Sequence, residues 1–395
     1  MRKIRVLHTI TRLILGGAQE NTLLSVIGLH NDPDIEVELL TGPGLGPEGE
    51  IASHARELGI RIIEIPQSRR NINPYYDIAT IAKTMSIIRN GNYDVVHTHS
   101  TKAGIIGRLI ASHYKVPAIV HTVHGPAFYE EQPVLVRKFY ISLEKWAAKH
   151  CDKIACVADA MRDEYLAEKV GRPEQYITVR SGMDVKRFAE AGQNQAKRLE
   201  LRKKYSITDE QIVIGKIARL FDLKGHIYVI EAAREIVKKH KNVRFFFAGD
   251  GLLRDELAAK VKEYGLDGYF IFAGLIPNTD IPEIISLMDI VVHASLREGL
   301  ARVLPQALLE EKPTISFDVD GAREVIKNNE TGYLVDAKDV QGLAAAANDA
   351  IDNFAIAKQM AKHGRSIVEK AFSTEKMVAD LKGLYADILK GKGII

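Results

Sequence analysis

The stretch "DVVHTHSTKAGIIGRLIASHYKVPAIVHTVHG", residues 94–125, decides the fold. Its ends, "DVVHTH" and "AIVHTV", are short and rich in Val, Ile and Thr, which suits strands. Between them, residues 103–112 form a helical candidate. Strand, helix and strand in succession predict an α/β protein with a parallel sheet and helices packed against it. The same rhythm runs outward in both directions. Before it come "KIRVLHT", "IEVELL" and "RIIEI", with a helical candidate at 76–90; after it come "KIACV" and "YITV", with candidates at 133–149 and 159–168. "SGMDVKRFAEAGQNQAKR" (181–198) breaks the rhythm with Gly, Asn and Gln and is expected to be a linker. A second series follows: "IVIGKIA", "VRFFFAGD", "YFIFAG", "IVVHAS" and "PTISFD".

Two Rossmann-like domains joined near residue 185 are the economical reading, 1–184 and 185–372. A final helix at about 373–391 has no strand after it and could pack back on either domain. Ligands would bind at the carboxyl ends of the strands, in a cleft between the two sheets.

A chain of 395 residues is too long for one ordinary core, so two domains also agree with its length. The formal charge of +3, with 46% hydrophobic and 27% charged residues, describes an ordinary soluble chain and gives no ground for nucleic-acid binding. No run reaches the roughly 20 apolar residues of a membrane span. "MRKIRVLHTI" is broken by His8 and Thr9 and reads as a strand, not a signal peptide. Cys151 and Cys156 are too few for a disulfide framework and are expected to be buried thiols in a reducing cytoplasm. A "GxGxxG" fingerprint and a Walker A sequence are both missing, which disfavours nicotinamide-dependent dehydrogenases and P-loop enzymes.

Phosphate-binding signals come in pairs. Gly16 and Gly17 stand just before a helix expected from Ala18, where backbone N–H groups can approach an anion; a bare tight turn reads as well. Arg219 and Lys224 sit in the loop between "IVIGKIA" and a helix, two cations suited to a diphosphate. In "SLREGL", Glu298 and Gly299 precede a helix that takes Pro305 in its first turn. Leu300, Ala301 and Arg302 would offer their N–H groups at its start. His97, His99, His121 and His124 invite a metal, but zinc sites usually add acidic or thiolate ligands, so no metal is expected. His124, where a strand runs out into Gly125 and Pro126, suits hydrogen bonding or acid–base work. Asp318 and Asp320 in "FDVDGAREV" imitate a metal-binding pair and are expected instead to cap the following helix.

"GGAQ", "HTVHG", "SGMDVKRF", "KIARLFDLKG", "FFFAGDG", "FAGLI" and "SLREGL" occur in this order. The ordered set resembles family 4 of the GT-B glycosyltransferases over essentially the whole chain. The resemblance implies twin Rossmann-like domains that bind a nucleotide diphosphate sugar, UDP- or GDP-linked, and transfer its hexosyl group with retention and without metal or other cofactor. It implies that Gly17 and its helix start meet the phosphates, joined by Arg219 and Lys224, and that the last helix crosses back to the N-terminal domain. His124 and Glu298 would meet the sugar, and the base would lie near Gly249 and Ile276. Two departures stand out. Gln306 replaces the family's second Glu, which binds the ribose, and Glu311 replaces a helix-ending Gly, so strain is expected there.

The alternatives are a sugar-nucleotide epimerase of similar fold and a sugar-nucleotide-binding protein without turnover. The acceptor would be a glycan, a lipid-linked sugar or a small molecule, with cell-surface polysaccharide or glycolipid as the product. The candidate helix at 133–149 carries Leu135, Phe139, Leu143 and Trp146 on one side and Arg137, Lys138, Lys145 and Lys149 largely elsewhere. It reads as a core face with a solvated basic face. The other reading is peripheral contact with anionic lipid on the inner face of the cytoplasmic membrane.

Overall fold

A computed structural model describes residues 2–14, 16–44, 51–130 and 132–395. The chain divides into two compact units: one runs to Met183 and takes in Thr374–Ile395, and the other is Asp184–Ser373. The first holds β1 (Ile4–Thr9), β2 (Ile35–Thr41), β3 (Arg61–Glu64), β4 (Val95–His99), β5 (Ala118–Val123), β6 (Lys153–Cys156) and β7 (Tyr176–Thr178). They form one parallel sheet in the order β3-β2-β1-β4-β5-β6-β7. The second holds β8 (Ile212–Ile217), β9 (Val243–Ala248), β10 (Phe270–Gly274), β11 (Ile290–His293), β12 (Thr314–Phe317) and β13 (Tyr333–Val335). Their order, β10-β9-β8-β11-β12-β13, repeats the first six positions of the first sheet. In each sheet the order reverses beside the first strand, at β1/β4 and at β8/β11. Such a reversal opens a crevice at the strands' carboxyl ends, because successive connections leave on opposite faces.

All twelve strands expected from the sequence form. Every residue of β4 and β5 is buried, as central strands covered on both faces require. The thirteenth, β13, was not anticipated, since three residues after a turn carry almost no periodic signal. Helices form at Pro74–Gly91, Thr101–His113, Val134–Ala148 and Asp159–Ala167, close to the expected bounds. The helix Thr374–Gly391 puts Leu381, Leu384, Tyr385 and Leu389 into the same core cluster as Val6, Val37, Val95 and Val120.

Two expectations are corrected. The supposed linker is helical at Val185–Gln193 and Gln195–Lys204. Asn194, which looks like a breaker, caps the second helix by accepting from the Lys197 N–H at 3.0 Å. Phe188 and Leu201 are buried, and Arg198 pairs with Asp289 at 2.6 Å. The helix Val134–Ala148 also turns the opposite way from the expected core face. It buries Ile141, Glu144, Ala147 and Ala148, whereas Leu135, Phe139 and Trp146 are exposed by 83%, 59% and 47%. The reason is electrostatic. Glu144 meets Arg108 at 2.9 Å with both side chains buried, and either charge buried alone would cost more than exposed apolar residues do.

The strain expected at Glu311 is present. Its φ is 55°, in the left-handed region, and the Glu311 and Lys312 N–H groups close the helix Val303–Leu309 on Leu308 and Ala307. A side chain there meets a steric penalty, and an ion pair with Arg365 at 3.0 Å works against it.

Candidate active site

In the second unit, the sequence-predicted residues gather at the carboxyl ends of four neighbouring strands. Arg219 follows β8, Gly249 follows β9, Ile276 follows β10, and Glu298 follows β11. Gly249 has φ 146°, and a Cβ there would lie 2.0 Å from the Ala218 carbonyl oxygen. No other residue lets the β9 turn come so close to the loop that carries Arg219. Gly225 acts similarly: at φ 63° a Cβ would lie 1.9 Å from the Ala294 carbonyl oxygen. With the Leu296 N–H donating to Leu223 at 2.9 Å, that approach brings Lys224 onto Glu298. Lys224 Nζ and Glu298 Oε1 are 2.5 Å apart, with both side chains only partly exposed.

His293 Nε2 also lies 3.5 Å from Glu298 Oε1, and His293 Nδ1 lies 3.1 Å from Ser316 Oγ. Burial would raise the Glu298 pKa, but the His293 hydrogen bond and the Lys224 charge hold the carboxyl well below its ordinary range. Beneath this pair is Lys216, on β8 and 1% exposed. Its Nζ has no hydrogen-bond partner among the described residues, and neither do His226 Nδ1 and Nε2 nor Ser295 Oγ. Burial above all, then the neighbouring charge of Lys224, pushes the Lys216 pKa down to about 7.

Other expectations about this unit are revised. The helix after "SLREGL" starts at Val303, so Leu300, Ala301 and Arg302 precede it and do not form its first turn. Gln306 is within it and 8% exposed. Neither Asp318 nor Asp320 caps the short helix Ala322–Val325, whose N-cap is Gly321. Asp318 accepts from Arg323 Nε at 2.5 Å, and Asp320, at φ 47°, accepts from the Glu298 N–H. Asp320 is therefore a brace for the Glu298 loop. Capping was the wrong inference because the chain turns at Asp320 before the helix begins.

In the first unit, Gly16 is the extended N-cap of the helix Gly17–His30, at φ 171°. His124 follows β5 directly and is half-buried. Its Nε2 lies 2.9 Å from His99 Nδ1. His99 and His97 end β4, and His8 lies across the β1/β4 reversal from them, with His8 paired to His97 in the sheet register. His121 takes no part in this group: its Nδ1 meets Thr98 Oγ1 at 2.8 Å.

Two family models match the chain. The Glycosyltransferase Family 4 model matches residues 16–187, and the model for Glycosyl transferases group 1 matches residues 197–367. The chain is a group 1 glycosyltransferase. Among its relatives, the UDP-Gal:alpha-D-GlcNAc-diphosphoundecaprenol alpha-1,3-galactosyltransferase of Escherichia coli is 28% identical, over 99% of this chain and 98% of that one. The capsular polysaccharide biosynthesis glycosyltransferase CapM of Staphylococcus aureus is 24% identical, over 83% of this chain and 86% of that one. The fold is that of Anabaena Alr3699/HepE, solved in complex with UDP and glucose. Its TM-score is 0.82 at 20% identity, covering 97% of this chain and all (100%) of that one. Two parallel α/β units of this kind are the GT-B architecture.

Sequence reasoning missed several buried polar residues near the strand ends of each unit of this glycosyltransferase, Lys216 and His293 in the second and His8 and Tyr385 in the first. Lys216 is a lone cation inside an apolar strand, which was a signal available in "IVIGKIA". His293 had a weaker one in "IVVHAS". His8 and Tyr385 had none, because the former reads as an interruption in a strand and the latter as one more apolar position on a helix.

Proposed function

We propose that this glycosyltransferase moves a hexosyl group from a UDP- or GDP-sugar to an acceptor hydroxyl, with retention and without a metal. The observation that carries the reading is the Lys224–Glu298 pair at the β8/β11 reversal, with Arg219 and the close Gly249 turn on neighbouring strand ends. A diphosphate competes with Glu298 for Lys224. As Lys224 turns to phosphate, the Glu298 carboxylate is released to accept hydrogen bonds from sugar hydroxyls. Arg219 and Lys224 then stabilise charge that grows on the leaving diphosphate. Gly16 and Gly17 offer backbone N–H groups to the phosphates, as do Leu300, Ala301 and Arg302. Gly249 and Ile276 border the base, and Gln306 meets the ribose through one carbonyl acceptor and an NH₂ donor. His124 meets the transferred sugar. The departing diphosphate itself takes the acceptor proton, so no strong nucleophile is required.

Metal independence is supported by the two aspartates that imitate a metal-binding pair. Asp318 is engaged by Arg323 and Asp320 by the Glu298 N–H. The E. coli relative's lipid-linked acceptor supports a lipid-linked or other glycan acceptor here, in polysaccharide or glycolipid synthesis at the inner face of the cytoplasmic membrane. None of the described helices is long and apolar enough to cross a membrane. The exposed Leu135, Phe139 and Trp146 beside Lys138 and Lys145 support peripheral contact with anionic lipid.

Radiolabelled UDP- and GDP-sugars, supplied with a lipid-linked acceptor in EDTA, test the reading. Labelled product is expected without added metal. Lys224→Ala should weaken diphosphate binding about tenfold or more, the value of a charge-assisted hydrogen bond, and leave nucleoside binding nearly intact. Binding without any product would return the protein to a non-catalytic role. Activity that needs magnesium would overturn metal independence.

A further inference from the structure

Six side chains of the first unit form one unbroken hydrogen-bonded series. Thr122 Oγ1 lies 2.6 Å from His97 Nε2. His97 Nδ1 lies 2.5 Å from the Tyr385 hydroxyl, which lies 3.2 Å from His8 Nε2. His8 Nδ1 meets His99 Nε2 at 2.9 Å, and His99 Nδ1 meets His124 Nε2 at 2.9 Å. Ring centroids 5.1 and 5.2 Å apart, at 19° and 28°, set His8, His99 and His124 end to end and nearly coplanar. The lone pair of one ring is thus aimed along the N–H of the next.

A neutral imidazole has one N–H and one lone pair. Burial, reinforced for His97 and His99 by their neighbouring histidines, pushes the pKa of all three buried rings far down, so they stay neutral. Each hydrogen bond therefore dictates the next. If the Tyr385 hydroxyl donates to His8, then His8 Nδ1–H donates to His99 and His99 Nδ1–H donates to His124. The His124 proton then sits on Nδ1. If instead His124 donates through Nε2, every bond reverses and the series ends with His97 Nε2–H donating to Thr122. Either order is free of net charge, because each ring gives up one N–H proton and receives another. Tyr385, whose pKa burial raises well above the ordinary phenol value, keeps its proton and serves in both orders. A metal is the other occupant that His8, His97 and His99 suggest, since their ligand atoms lie within 4.8 Å of one another. However, the 2.9 Å separation of His8 Nδ1 and His99 Nε2 is a hydrogen-bond distance. At a tetrahedral zinc, two metal–nitrogen bonds of about 2.0–2.1 Å each would hold the nitrogens roughly 3.3 Å apart.

We propose that Tyr385, His8 and His99 are positioning residues that act through His124, fixing which of its nitrogens carries the proton. The proposal rests on the glycosyltransferase reading in which His124 meets the transferred sugar. There the tautomer decides whether Nδ1 donates to a sugar hydroxyl or accepts from it, so a mixed tautomer loses part of that bond at every turnover.

Tyr385→Phe removes one oxygen from the middle of the series and keeps the ring. In the full-length protein labelled with ¹⁵N-histidine, NMR should show one neutral tautomer each for His8, His97, His99 and His124. In the variant, His8, His99 and His124 should pass together to a mixture. Turnover of the sugar nucleotide should fall about tenfold, the value of one hydrogen bond, with the donor KM unchanged. Combined with His124→Ala, the variant should be no slower than His124→Ala alone, because both changes act through one group. A response confined to His8, or additive losses in the double variant, would overturn the proposal. If the unaltered protein turns over no sugar nucleotide, the transferase reading fails instead, and the NMR comparison still decides whether the series is coupled.

Discussion

At the scale of single residues, Lys216 shows how the site departs from what packing alone would choose. An amine 1% exposed, with no partner for its Nζ among the described residues, is costly in a strand whose neighbours are apolar. Its folded pKa of about 7 is below the unfolded value of about 10.4. Between those two values the unfolded chain binds the extra proton, so stability rises with pH from about 7 to about 10. Below about 7 the whole penalty is present. Lys216→Met keeps the volume and removes the titration. It should raise unfolding stability at pH 7 by about 1–4 kcal/mol and flatten the pH dependence between 7 and 10. Denaturant titrations at several pH values check this, and an unchanged slope would mean that Lys216 is charged and solvated in the folded protein.

At the scale of elements, the helix Val134–Ala148 faces inward along its charged side. The Arg108–Glu144 pair fixes that orientation and leaves Leu135, Phe139 and Trp146 at the surface with Lys138 and Lys145. An exposed apolar stripe flanked by cations has the composition of an interfacial helix. Vesicles containing phosphatidylglycerol should sediment the protein, whereas vesicles of phosphatidylcholine alone should do so weakly. Leu135→Ser with Phe139→Ser should reduce sedimentation about tenfold or more, each apolar side chain being worth about 1.5–3 kcal/mol when buried. Thermal stability should change little, since both side chains are already in water. Equal sedimentation of the variant would remove this helix from any membrane role.

At the scale of the whole molecule, the last helix is part of the first unit although the entire second unit precedes it in sequence. Met377, Leu381, Leu384, Tyr385, Ile388 and Leu389 are buried. At about 1.5–3 kcal/mol each, the six together are comparable to the whole of the roughly 5–15 kcal/mol that holds a domain folded. Ending the chain at Ser373 should therefore unfold the first unit and leave the second with a cooperative transition of its own, which calorimetry would resolve. A truncated protein with both transitions intact would show that the helix only decorates its sheet. Strand positions, the α/β class and the loops that carry Arg219, Lys224, His124 and Glu298 were determined by the sequence itself. Local residue preference and short apolar runs set those features, and each is written in adjacent residues. What the sequence left open depended on groups far apart in the chain. Glu144 chose the face of its helix through Arg108, Asp289 held the helix Gln195–Lys204 through Arg198 and Arg202 where glycine and asparagine suggested a linker, and Asp320 braced Glu298 rather than a helix. The histidine series needed Tyr385, 377 positions beyond His8. Burial made those pairings decisive, because a polar group removed from water must take its partner from wherever the fold supplies one.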